Sequence, residues 1–375
     1  MAASGARAAA EGPTWRGEWG LAGRSAAFER GCGLGGGCIG CASGCREDRR
    51  APLAAPRPHA RTPSRPHART AYTSPVTPGT LRTLLHHLVD YAGLFPPAAL
   101  DMHAAVHEYA LHRAGEHAWM LGHFVLPVSR LAEFEAAAGT LGPSAIGDVW
   151  QLSVLPSADL DATLAAIAGF NARNRVTPGR SAVADTLELK LEALPDIEAT
   201  LAKVPPGLTP YVELPIDDDL APRLAAISRA GARAKVRTGG VTAGAFPPSH
   251  ALARFIQSCA DAGVPFKATA GLHHPLRGDY RLTYEPGAPH GMMFGFLNVF
   301  LAAAFARTGL TLKELALLLE EKDATTFEFT ETAASWRGRT VSRTGISAVR
   351  HHVALSFGSC SFQEPVDDLR SLGLL

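Results

Sequence analysis

Short apolar runs alternate with helical patterns through most of the chain, and their spacing limits what it can fold into. The candidate strands are Trp119 to Leu126, Val149 to Leu155, Leu187 to Glu192, Pro210 to Leu214, Ala234 to Thr238, Phe266 to Ala270 and Thr326 to Thr330. Helical patterns fall between them at Ser129 to Ala138, Asp159 to Asn174, Pro195 to Ala202, Asp218 to Arg229 and Ser249 to Ala262. Most intervals are roughly 25 to 35 residues, the size of one strand–helix unit. Asp218 and Ser249 are suited to cap helix N-termini, and Gly231 and Gly263 to end helices. An eighth strand fits at Val89 to Phe95, ahead of a helix over Asp101 to Arg113. Eight such units imply a (β/α)8 TIM-type barrel spanning residues 75–375. The competing architecture is an open, doubly wound parallel sheet.

Side chains alternate across a strand, so each strand has two faces. In Leu187 to Glu192 the leucines share one face; Glu188, Lys190 and Glu192 share the other. Glu213 opposes Val212 and Leu214. Lys235 and Arg237 oppose Ala234 and Val236. Lys267 pairs with Thr269, and Glu328 opposes Phe327 and Phe329. In a barrel the apolar faces meet the outer helices, and the polar ones point inward. The interior would then hold four cations, Lys190, Lys235, Arg237 and Lys267, against four anions, Glu188, Glu192, Glu213 and Glu328. Buried charge survives only when paired, so this balance is what a charged interior requires. An antiparallel sheet with one wet face would show the same alternation. The intervening helices argue for the barrel.

Lysines at matching places on adjacent strands suggest amine chemistry. An ordinary lysine is almost wholly protonated at neutral pH. Neighbouring cations and desolvation favour the neutral amine, and a drop of about three pKa units corresponds to near 4 kcal/mol. Such an amine attacks a carbonyl to form a Schiff base, with glutamates shuttling protons. Thr238, Gly239 and Gly240 follow one lysine, and Thr269 and Gly271 the other. These glycines would let an anionic ligand approach the backbone at the strand ends.

The two segments read "KVRTGG" (Lys235 to Gly240) and "KATAG" (Lys267 to Gly271). They resemble the sixth- and seventh-strand motifs of the deoxyribose-phosphate aldolase family, class I aldolases built on a (β/α)8 barrel, and they occur in the same chain order. The resemblance implies that Lys235 is the Schiff-base lysine and Lys267 the lysine that lowers its pKa. Val236, Arg237 and Ala270 depart from the family motifs, and the third strand, "VWQLSVLP", lacks the family's acidic proton shuttle. The likeness spans some ten residues; the rest of the chain resembles no characterised family.

Residues 1–74 follow different rules. They hold 11 arginines, no lysine and 5 acids. They are rich in Gly, Ala and Pro, and repeat "RPHART" at Arg57 to Thr62 and Arg65 to Thr70. Without an apolar periodicity such a segment cannot offset the entropy of ordering, and the expectation is a disordered extension. An organellar transit peptide is one alternative. Another is a zinc or iron–sulfur site at Cys32, Cys38, Cys41 and Cys45. Gly35 to Gly40 matches G-x-G-x-x-G without the strand and helix a nucleotide fingerprint needs. Deleting residues 1–74 is expected to leave the melting temperature nearly unchanged, which a thermal melt of the truncated chain checks.

The overall charge of +1 argues against a nucleic-acid partner. Cys259 and Cys360 lie far apart, fitting a reducing, cytoplasmic setting. Cys360 reads as a packed small residue, for want of an identifiable base. Gly291 to Ala306 is uncharged but short for a membrane span, so it reads as a buried helix or a homo-oligomer interface. His273 and His274 follow the seventh strand and suit substrate or metal binding, and Arg277 suits an anion. His103 and His107, four apart on a helix, read as surface residues.

The leading expectation is an aldolase-like lyase on a small anionic carbonyl compound, with no cofactor. Its catalytic residues would be Lys235, Lys267, Glu213 and Glu328. Substrate contacts would come from Arg237, Thr238, Gly239, Gly240, Thr269, Gly271, His273, His274, Lys190 and Glu192. One alternative is a metal-assisted enzyme that abstracts a proton with a lysine base, its divalent ion held by Glu188, Glu213 and Glu328, which would complete a set with His273 and His274. Another is a non-catalytic barrel that binds small anions.

Overall fold

The computed structural model describes residues 77–141, 149–174, 182–217 and 220–375. The N-terminal extension, its cysteine cluster and Asp218 lie outside them.

Seven parallel strands come first: β1 (Val89–Tyr91), β2 (Leu121–Pro127), β3 (Trp150–Leu155), β4 (Ala182–Lys190), β5 (Thr209–Leu214), β6 (Arg233–Arg237) and β7 (Phe266–Thr269). An antiparallel pair follows, β8 (Gly278–Arg281) and β9 (His290–Met293), then a three-stranded antiparallel sheet of β10 (Phe327–Phe329), β11 (Ala333–Trp336) and β12 (Arg339–Ser342). The last strand is β13 (Ala354–Ser359). It enters between β1 and β7 and closes an eight-stranded barrel in the order β1-β13-β7-β6-β5-β4-β3-β2. The chain is therefore a (β/α)8 TIM-type barrel, not an open doubly wound sheet.

The apolar strand faces pack outward, as the alternation implies. Leu187, Val212, Val236 and Phe266 are fully buried. The helix Ser249–Ala262 sets Phe255 edge-on against Phe266 at 5.6 Å, and Phe296 stacks on Phe357 at 5.3 Å. Each such side chain contributes about 1.5–3 kcal/mol of burial. Gly263 ends its helix with a left-handed φ of 63°. Ser249 is the first helical residue, not the cap; Pro248 stands at that position and supplies no side-chain hydrogen bond.

The helix Phe296–Ala306 is buried along its whole length. Its one polar residue, Asn298, donates to the carbonyls of Leu318 and Glu321 at 2.8 Å and accepts from the Arg277 N–H. Among the described residues, no helix is long and apolar enough to cross a membrane.

One expected strand fails. Thr326 to Thr330 is not in the barrel: β10 pairs with β11, and Glu328 is exposed, with Ser335 as its neighbour. The eighth position belongs to β13, whose inner residues are Ser356 and Gly358. Two smaller differences follow from β4, which begins at Ala182 and ends at Lys190, leaving Glu192 beyond the strand.

Candidate functional site

Lateral register brings the interior charges together. Glu213 on β5 lies beside Lys235 on β6, Lys235 beside Lys267 on β7, and Lys267 beside Ser356 on β13. Lys267 Nζ donates to Asp90 Oδ2 at 2.6 Å and to Glu188 Oε1 at 2.7 Å. Lys235 Nζ lies 2.8 Å from Glu188 Oε2 and 2.8 Å from Glu213 Oε2. One carboxylate, Glu188, thus bridges both ammoniums. Ser153 donates to Glu188 at 2.6 Å, and Ser356 to Asp90 at 2.8 Å. Arg237 Nε completes the chain against Glu213 at 3.3 Å.

Asp90, Glu188, Lys235, Lys267 and Glu213 are all buried. Burial alone would push the Asp90 and Glu188 carboxyls up, but Lys267 and His123 at Asp90, and Lys267 and Lys235 at Glu188, override it and hold both far below the usual carboxylate range. Glu213 is also held low, burial being outweighed by Lys235 and Arg237. For Lys267, burial favours the neutral amine, yet Asp90 and Glu188 win and raise it above the ordinary lysine value. Its nearest charges are anions, so Lys267 is not the neutral amine of the pair. Lys267 is a fixed cation, 5.4 Å from the Tyr211 ring.

The remaining sequence-derived candidates divide. Lys190 and Arg237 are exposed at the C-terminal mouth and, with Glu192 and Glu213, line an open cavity of about 280 Å³. Thr238 is fully buried; its hydroxyl donates to the Ala270 carbonyl at 2.7 Å and ties β6 to β7. Thr269 ends β7 on the same inner face as Lys267.

The glycines admit the protein's own chain rather than an opening for a ligand. A Cβ on Gly271 (φ 65°) would stand 2.8 Å from both Gly239 Cα and the Phe246 ring. On Gly239 it would meet that ring, and on Gly240 the Ala245 methyl.

Glu328 is absent from this group, so the three-glutamate metal set is not assembled. Among the described residues, no cluster of three or more His, Cys, Asp or Glu side chains has the arrangement of a metal site. His274 is held by Asp368 at 2.6 Å and stacks on Tyr280. Arg277 pairs with Glu320 at 2.9 Å. His103 and His107 are exposed.

Several partners escaped the sequence reading. His123 donates its backbone N–H to Asp90 at 2.9 Å, and its Nε2 lies 3.1 Å from Asp185. Burial disfavours its charge, but Asp185 and Asp90 raise it to about 9. At the end of β13, His273 Nδ1 lies 3.3 Å from Ser359 Oγ, 3.4 Å from Glu364 and 3.9 Å from Cys360 Sγ, with the Tyr284 hydroxyl 3.5 Å from the same sulfur. His273 is also raised to about 9, burial being outweighed by Cys360 and Glu364. Burial pushes the Cys360 thiol up, but the His273 contact prevails and lowers it. Cys360 therefore has a basic partner that sequence alone did not reveal. Asp90 and His123 gave the same signal as the lysines, a lone ionisable residue within an apolar run.

His123 and His273 are both raised above an ordinary histidine value near 6.5. Their stabilisation is complete below that value and lost as pH rises toward about 9. The melting temperature is expected to fall over this interval, and His123→Asn to flatten the slope. Glu213→Leu removes one of two carboxylates from Lys235 and the partner of half-exposed Arg237. Because Lys235 keeps Glu188, the expected loss is about 1–3 kcal/mol, measured by denaturant unfolding.

No protein-family model matches the chain, and no curated protein matches its sequence.

Proposed function

We propose that the protein is an aldolase-like lyase that forms a Schiff base at Lys235 with a small carbonyl compound bearing an anionic group. The observation that carries this reading is the position of Lys235: two residues before Arg237 on the strand, between Glu188 and Glu213, the second of which lines the mouth cavity with Lys190 and Arg237. These two exposed cations would hold the anionic group.

The charge balance suits the reaction. Lys235 gives a proton to Glu213, and the neutral amine attacks the carbonyl carbon. After proton transfer from nitrogen to oxygen, Glu213 returns its proton to the hydroxyl, which leaves as water. The product is a protonated iminium, so an ammonium has been exchanged for another cation of equal charge. The carboxylates that stabilise one also stabilise the other. A carboxylate then takes the proton of the substrate's β-hydroxyl, the Cα–Cβ bond breaks, and its electron pair enters the iminium to give an enamine. The carboxyl returns that proton to the enamine carbon, and water adds to the resulting iminium to release the second product and the Lys235 amine, with no cofactor called for. Lys267 holds Glu188 in place throughout as a positioning residue. Among the described residues the cysteines are Cys259 and Cys360, both free, and they suit a cytoplasmic location.

A second reading is favoured by the completeness of the ion pairing: a barrel that binds small anions without turnover. Borohydride reduction in the presence of a panel of small aldehydes and ketones bearing carboxylate or phosphate separates the two. The lyase reading expects a stable mass adduct on Lys235; no adduct across the panel selects the binding barrel.

A further inference from the structure

The N-terminal end of the barrel carries a second concentration of charge. The helix Gly79–Leu85, the turn after it, the helix Arg343–His352 and the start of β13 enclose a cavity of about 460 Å³. Arg82, His86, His87, Arg343, Arg350 and His351 line it, along with Thr83 and Leu355, and no carboxylate does. Arg350 is the buried anchor. Its guanidinium donates to the carbonyls of Ala354, Leu355 and His86, which are neutral acceptors, while its Nε has no hydrogen-bond partner. Arg82 lies over the Trp119 ring at 4.5 Å, and Arg343 Nε donates to Thr83 at 3.1 Å. The nearby Glu331 carboxylate accepts from the Gly79 N–H at 3.0 Å.

Three guanidiniums therefore converge without an ion-pair partner among the described residues. Burial pulls Arg350 down to about 10. Burial, with the surrounding cations, also holds His86 and His87 below their ordinary value. At the two histidines the neighbouring cations add to burial; at Arg350 burial acts against the attraction of Asp90 and Tyr211, and a buried cation with no direct ion pair is costly. A dianion bearing several oxygens matches the guanidinium fork best. The volume exceeds that of a single phosphate and falls in the range of small-molecule pockets.

We propose that this cavity binds a phosphate-bearing small molecule, at the opposite end of the barrel from the lysine mouth. Such a ligand would join the two segments that flank the β1–β13 seam, because Arg350 already reaches the carbonyls of both.

The test is calorimetric titration of the full chain with inorganic phosphate and pyrophosphate at constant ionic strength, with acetate as the control anion. Saturable binding of pyrophosphate is expected, with no response to acetate. Arg82→Gln/Arg343→Gln should weaken it about tenfold or more, and Lys190→Gln/Arg237→Gln should leave it unchanged. All four residues are exposed, and melting curves of each variant confirm folding. Absence of saturable binding, an equal response to acetate, or loss confined to the Lys190/Arg237 variant overturns the proposal; the last outcome places the anion at the mouth instead.

Discussion

Lys267→Met is expected to cost about 3–5 kcal/mol of folding stability, the largest loss of any single substitution in the barrel interior. Methionine fills nearly the same space, so packing changes little. What changes is that Asp90 and Glu188 lose the cation 2.6 and 2.7 Å away while remaining buried. Glu188 still has Lys235; among the described residues, Asp90 retains His123 and the Ser356 hydroxyl. Without Lys267, the attraction that holds these two carboxyls down weakens, while burial, which pushes them up, remains. The variant then gains stability relative to the parent as pH falls toward the carboxylate range. Asp90→Asn in the same background should recover part of the loss, since the amide needs no counter-charge. Denaturant unfolding of the two single variants and the double variant gives the coupling. Equal losses in all three, with no pH dependence, would show that packing rather than charge sets the cost.

Lys235→Ala is expected to abolish the borohydride adduct completely while leaving a folded barrel. Glu188 retains Lys267 and Glu213 retains Arg237, so neither carboxylate is stranded. Lys267→Met should also suppress trapping, but for another reason: Glu188 loses one of the two contacts that fix it beside Lys235. The two variants separate in their reaction conditions. A high concentration of the carbonyl compound should restore some adduct in Lys267→Met and none in Lys235→Ala, read by mass spectrometry of the intact chain and of its peptides. Adduct on Lys267 in the Lys235→Ala protein would reverse the assignment.

The period-two alternation made much of the barrel legible, because a parallel strand covered by helices must hide its apolar side outward. That placed Glu188, Glu213, Lys235 and Lys267 on one surface correctly. The same signal misled at "TFEFT", since Glu328 sits in an antiparallel sheet with one wet face, where alternation needs no interior. The true closing strand, "ALSFGS", was hard to see because its inner positions are serine and glycine and it offers little polar contrast. Asp90 stands out as a lone acid in an apolar run, but β1 has three residues, too few to show which face it takes. The Cys360–His273 contact joins residues 87 apart, and no local pattern encodes that.

The Asp90–Lys267 bond spans 177 residues, and the Asp90–Ser356 bond 266. During synthesis at about 5–20 residues per second, the interval between the emergence of Asp90 and that of Lys267 is roughly 10–35 seconds. Over that time a nascent half-barrel would bury a carboxylate whose lysine counter-ion has not yet been made, with His123 its one early partner among the described residues. Early collapse of the first strands is therefore penalised, and that penalty lifts only when the later strands arrive. Such wiring favours closure in one late, cooperative step over a stable partial barrel, and it leaves the growing chain dependent on water, or on a chaperone, to keep that charge satisfied.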